Sequence, residues 1–359
     1  MSVRELRRHV GRLAIVGFRG HTVPPDLRAL VAEFDLGGVI YFSRNVVEPR
    51  QLAELSREIA ALARDWPLWI SVDQEGGRVA RLRTPFTEWP PVATLGRSGD
   101  AALAGRFAAA LAAELTAVGI NLDYAPVLDV HTNPANAVIG DRALSDRPDE
   151  VARLGVVLVE TLQAAGIAAC GKHFPGHGDT REDSHHELPL LDHDRRRLDA
   201  IELQPFRRAI AADVASIMVA HLGLPAIDAE RPTSLAPAVV QTLLKDALGF
   251  AGMVVSDDLG MQAVSATRPL PVAAVDALVA GCDAVLLCDS SIDDQVRALE
   301  AIIHAAESSA LTHTRIADAM ARQQRTKARF LAGPPARPDL AVIGCAAHQA
   351  VAREMGAWQ

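Results

Sequence analysis

The sequence predicts an α/β chain folded as a single (β/α)8 TIM-type barrel, with its active site at the C-terminal rim of the strands. Eight short apolar runs alternate with longer amphipathic stretches across the 359 residues. The runs are near-continuous in apolar residues, as expected of parallel strands covered on both faces. Six of the eight carry aspartate, lysine or histidine at their downstream ends, which a barrel gathers on one rim.

In chain order the strand runs are LAIVGF (13–18), GGVIYF (37–42), LWISVD (68–73), INLDYAP (120–126), IAACGKH (167–173), ASIMVAH (215–221), GMVVSDD (252–258) and DAVLLCD (283–289). Ala/Leu-rich helical patterns cover 49–64, 99–118, 148–165, 194–212, 236–248, 270–280 and 292–308. Gly119, Gly166, Gly249 and Gly281 follow four of them, where a left-handed residue commonly ends a helix. Pro148 and Pro237 suit first-turn positions. An open doubly wound sheet is the runner-up, but it calls for a Gly-rich phosphate turn after the first strand, and GFRGHT (17–22) is a poor match. A last helix over 312–331 ends at AGPPARPD. The expected division is therefore a catalytic barrel over 1–332 and a tail over 333–359 with one short helix within 341–356.

A net charge of −8 argues against a nucleic-acid partner, which needs a basic surface to neutralise phosphates. No apolar run approaches the ~20 residues of a membrane helix. The N-terminal run Leu13–Phe18 is shorter than the apolar core of a secretion signal, so a cytoplasmic protein is expected, with no membrane and no obligate protein partner. Cys170, Cys282, Cys288 and Cys345 form no CxxC pair and read as reduced thiols, mostly buried.

Four stretches carry chemistry. VDQEGGRVARL (72–82) follows strand three; Gly76-Gly77 permits a tight turn, Asp73 accepts from hydroxyl groups, and Arg78 and Arg81 offer donors. GDRALSDRP (140–148) is a loop that brings Arg142 towards the pocket. KHFPGHGDTREDSHHELP (172–189) holds four histidines in eighteen residues. A metal reading needs three or four convergent ligands. His173 and His177 are four apart, but Pro175, Gly176 and Gly178 deny them a shared helical face, so no metal and no other cofactor is expected. Asp183 and His185 are two apart in an extended segment and point the same way. The carboxylate orients the imidazole and raises its pKa from about 6.5, which suits a general acid–base. Asp179, Glu182 and Glu187 read as solvated charges or caps. Finally, VVSDDLGM (254–261) puts an acidic pair on strand seven. A rim carboxylate facing a protonatable group is the arrangement of a retaining glycosidase. Periodicity leaves open whether Asp257 or Asp258 reacts; the other would cap the next helix.

These stretches, in this order and spacing, resemble the bacterial β-N-acetylglucosaminidases of glycoside hydrolase family 3, from about Arg12 to Arg329. The resemblance implies Asp257 as nucleophile, His185 as acid–base and Asp183 as its partner. It implies Asp73, Arg81, Arg142, Lys172 and His173 as residues that bind the terminal N-acetylglucosamine. The implied substrates are GlcNAc-containing peptidoglycan fragments, GlcNAc–1,6-anhydro-MurNAc peptides, met in cell-wall recycling. Many members of the wider family carry a second domain that supplies a glutamate acid–base. No second domain is expected here, which accords with His185 in that role. The alternatives are a β-glucosidase or a phosphate-using N-acetylglucosaminide phosphorylase of the same fold, a metal-dependent hydrolase, and a non-catalytic sugar-binding barrel.

Overall fold

A computed structural model describes residues 3–181, 187–333 and 339–359. Eight parallel strands close into a barrel: β1 (Ala14–Gly17), β2 (Gly38–Tyr41), β3 (Trp69–Val72), β4 (Leu122–Asp123), β5 (Ala168–Phe174), β6 (Ser216–Val219), β7 (Met253–Asp258) and β8 (Ala284–Leu287). Seven lie within the predicted runs, and β5 extends one residue past its run, to Phe174. Closure is made by β1 against β8, with Ala14 opposite Val285.

Two apolar layers result. Inside the barrel, Ile15, Ile40, Trp69, Leu122, Tyr124 and Met253 belong to one cluster of buried side chains. Outside, the opposite faces of the strands pack under the helices, with Val39, Val72, Ile217 and Val254 all buried. Burial on both faces is why the strand runs are continuous rather than alternating.

The helices start where the sequence supplies caps. Asp100 accepts from the amides of Ala102 and Leu103 at the head of Ala101–Ala117, and Pro148 opens Pro148–Ala164. The structure departs from the expected pattern at three places, two of them with a local cause. A helix at Pro25–Phe34 joins β1 to β2, where its ten residues are too few for a clear periodic signal. The stretch 194–212 is two helices, Arg195–Ala200 and Leu203–Ala211, because Pro205 belongs in a first turn. The stretch at 236–248 winds as a π-helix over Ala238–Ala247.

Beyond the barrel, helix Ala346–Gly356 lies on Ala101–Ala117. The buried Glu114 carboxylate accepts from Gly344 N at 3.0 Å and faces His348 Nδ1 at 2.8 Å, while Arg106 pairs with Glu354 at 2.6 Å. No described helix is long and apolar enough to cross a membrane.

Candidate active site

The two longest strands matter most for the site. β5 has seven residues and β7 six, against four in β6 between them. Their ends, Lys172–Phe174 and Ser256–Asp258, therefore project past the common layer. Of these residues, Lys172, His173, Asp257 and Asp258 form part of the wall of a cavity of about 500 Å3 at the C-terminal mouth. Asp73, Arg81 and Arg142 line it too, as do Glu75, His177, Cys288 and Asp289.

One part of the wall is an ion cluster. After β3 the chain turns into an antiparallel ribbon, Gln74–Gly76 against Val79–Ala80. Gly76 and Gly77 make the turn at φ +100° and +58°, and a Cβ on Gly77 would lie 2.9 Å from Pro91 Cα. The ribbon brings Asp73 and Glu75 to one face. Lys172 Nζ lies 2.6 Å from Asp73 Oδ1 and 2.7 Å from Glu75 Oε1. Arg142, in the turn Gly140–Arg142, meets both Glu75 oxygens at 2.8 Å. Burial opposes ionisation of Glu75, but Arg142 and Lys172 outweigh it and hold its carboxyl well below the ordinary range. Burial likewise opposes the Lys172 charge, and Asp73 and Glu75 reverse that.

His173 is fixed from both sides. Its Nδ1 lies 2.6 Å from Asp129 Oδ2 and its Nε2 lies 3.2 Å from Arg142 Nη2. Since Arg142 can only donate, Nε2 accepts and Nδ1–H donates to Asp129. Asp129 also accepts the amides of His173 and His177, at 3.2 and 2.6 Å. Arg81 lies 3.6 Å from Asp73 and 5.4 Å above the Phe42 ring, and its buried Nε has no hydrogen-bond partner among the described residues.

The acidic pair on β7 is asymmetric. Asp258 Oδ1 accepts from Cys288 N at 3.0 Å and Gly260 N at 3.2 Å. Asp258 thus braces its own turn against β8 instead of capping the following helix as expected, because that helix begins only at Gln262. Asp257 Oδ1 accepts the Asp258 amide at 2.8 Å. Burial resists ionisation of Asp257, but His221, His173, the Asp258 amide and Lys172 together hold its carboxyl below its ordinary value. Burial pushes Asp258 the other way.

The family model for the "Glycosyl hydrolase family 3 N terminal domain" matches residues 5–326. The chain belongs to glycoside hydrolase family 3. It is an enzyme, a glycoside hydrolase. It is 42% identical to the "Beta-hexosaminidase" of Nitrosomonas eutropha over 304 residues, 82% of this chain and 86% of that protein. It is also 42% identical to the "Beta-hexosaminidase" of Alkalilimnicola ehrlichii, over 77% of this chain and 80% of that protein. Its structure is similar to that of a family 3 β-N-acetylglucosaminidase from Paenibacillus sp. FPU-7, with a TM-score of 0.94 and 40% identity. That likeness covers 98% of this chain and 68% of the other.

Among the residues expected at a family 3 site, Asp73, Arg81, Arg142, Lys172, His173 and Asp257 meet around one cavity. Asp183 and His185 lie outside the described residues. Arg78 faces away: it caps the carbonyls of Ala137, Val138 and Ile139 and pairs with Asp141 at 3.0 Å. Asp179, expected to be solvated, is partly buried, accepting from Thr132 Oγ1 and lying 2.7 Å from His193 Nε2. Asp123 and Asp129 end the β4 segment but stand behind the wall, fully buried. Asp123 accepts from Gln74 N at 2.9 Å, and burial pushes its carboxyl well up.

Glu75 and His177 were not assigned chemistry from sequence. The alternation Asp73–Glu75 in an extended segment was the available signal for Glu75. His177 is folded under the loop by Thr180, 2.7 Å from its Nδ1. Among the described residues, no group of three or more His, Cys, Asp or Glu is arranged to hold a metal ion.

Proposed function

We propose that this enzyme is a retaining exo-β-N-acetylglucosaminidase that removes terminal β-linked GlcNAc from peptidoglycan fragments in the cytoplasm. The observation that carries the reading is Asp257: a carboxylate at the rim whose ionised form is favoured, held by one amide among the described residues, on a cavity that Asp73, Arg81, Arg142, Lys172 and His173 also line. The volume suits a small ligand, and a buried ion cluster in the wall suits a chain end better than a long glycan. The relatives named β-hexosaminidase supply the sugar class.

In this mechanism an Asp257 oxygen attacks the anomeric carbon as the glycosidic C–O bond breaks. His185, as imidazolium and oriented by Asp183, gives its proton to the leaving oxygen. The neutral imidazole then takes a proton from water. The water oxygen attacks the same carbon, the bond to Asp257 breaks, and GlcNAc leaves with its β configuration retained. Asp73 accepts from sugar hydroxyls while Lys172, Arg81, Arg142 and His173 shape and charge the pocket.

A panel of aryl β-GlcNAc, aryl β-glucoside and GlcNAc–anhydro-MurNAc peptide, assayed with and without phosphate, tests the reading. Hydrolysis of the GlcNAc substrates, with retention and without a phosphate requirement, is expected. GlcNAc 1-phosphate as the main product would make the enzyme a phosphorylase, and preference for the glucoside would overturn the sugar assignment.

A further inference from the structure

His221 lies two residues beyond β6 and is fully buried. It is absent from the cavity wall, so sugar binding does not account for it. Its Nε2 lies 2.9 Å from the carbonyl oxygen of Asp258, and its Nδ1 lies 2.6 Å from Ser234 Oγ. A carbonyl only accepts, so Nε2 carries a proton and donates it. The Ser234 hydroxyl fixes the ring from behind.

Asp258 is thereby held at every polar group. Its carboxylate takes the amides of Cys288 and Gly260, and its carbonyl takes Met261 N at 3.0 Å as well as His221. Its one remaining group, the amide N–H, is aimed at Asp257 Oδ1. Cys288 belongs to the end of β8 and His221 to the end of β6, so the bracket spans both neighbours of β7. β6 and β7 are in register up to Val219 opposite Ser256, immediately before the acidic pair. Beyond that pair the ladder stops, and His221 is the tie from β6 that replaces it.

We infer that His221 is a positioning residue for the nucleophile: through the Asp258 main chain it fixes the amide that holds Asp257 Oδ1. Among the described residues Asp257 Oδ2 receives no such bond, so the bracket also selects Oδ2 as the oxygen that attacks. The inference rests on Asp257 being the nucleophile. Displacing a reacting group by an ångström costs about 10²-fold in rate even when binding is intact.

The test is a split between chemistry and binding. Purified His221→Leu, His221→Gln and Ser234→Ala enzymes are treated with a 5-fluoro-N-acetylglucosaminyl fluoride, and GlcNAc inhibition is measured in parallel. Expected results are inactivation slowed by about 10–10²-fold in His221→Leu, a smaller loss in Ser234→Ala, and recovery of most of the rate in His221→Gln, which keeps a donor. The GlcNAc inhibition constant stays at the wild-type value throughout. Ser234→Ala carries the test if His221→Leu does not fold. Wild-type inactivation rates in Ser234→Ala and His221→Leu, or parallel losses of rate and GlcNAc binding, overturn the inference. Mass spectrometry of the labelled peptide separates the two claims. A label on Asp258 removes the nucleophile assignment itself, whereas a label on Asp257 with unchanged rates removes only the role of His221.

Discussion

Glu75 grips Arg142 through both carboxylate oxygens, at 2.8 Å each, inside the wall of the cavity. The same Oε1 lies 2.7 Å from Lys172, so one buried acid bridges two buried cations, with Asp73 supplying the second negative charge. Glu75→Ala leaves Arg142 without its carboxylate partner and Lys172 with Asp73 alone, and removing one partner of a buried pair costs about 3–5 kcal/mol. Urea unfolding of Glu75→Ala should show a loss of that order. Glu75→Gln should lose less stability but raise KM, because Lys172 would then lean wholly on Asp73.

Asp257→Ala should abolish turnover while the fold survives. The single hydrogen bond found for its carboxylate among the described residues is the neighbouring amide, so little packing depends on it. Near-wild-type kcat with normal circular dichroism would remove Asp257 from the mechanism.

Replacing His185 by Ala tests the acid–base role independently of its position. Substrates with poor leaving groups should slow by about 10²–10⁴-fold, and aryl glycosides with good leaving groups far less. Equal losses on both series would count against proton donation.

His177 predicts a pH dependence of stability. Burial, opposed by Asp129 and reinforced by His173, lowers its pKa to about 4. Unfolded histidine titrates near ~6.5. Between those values the unfolded chain binds the proton that the folded chain refuses, so stability rises with pH through this window. It is lost progressively from about pH 6.5 down to about pH 4, by roughly 3 kcal/mol, and the penalty is absent above the window. Unfolding free energies of wild type and His177→Asn across this range check the sign: the variant should show the shallower slope.

Chelation should leave activity unchanged. Both His173 nitrogens are committed, to Asp129 and to Arg142, and His177 Nδ1 is committed to Thr180. Loss of activity in EDTA that zinc restores would contradict this.

The fold was legible from the primary structure because a parallel barrel buries each strand on both faces. That leaves eight unbroken apolar runs, six of them with polar residues collected at the downstream end. The pocket residues Asp73, Lys172 and His173 were legible for the same reason, as strand-end positions on one rim. Arg142 and Glu75 were harder. Arg142 lies in a loop whose local pattern reads equally well as solvated, and Glu75 stands in a ribbon whose partner, Lys172, is nearly a hundred residues away in the chain.

The acidic pair Asp257-Asp258 marks the boundary between the two kinds of knowledge. Composition and order determined that two carboxylates stand at the end of β7, and the family motif around them favoured the first. Only the tertiary structure decided what each one touches. A strand's alternation sends neighbours to opposite sides without saying which side is which. Both residues border the cavity; the difference is that Cys288, just past β8, and His221, just past β6, bind Asp258, while the carboxylate of Asp257 keeps one hydrogen bond among the described residues, from the Asp258 amide.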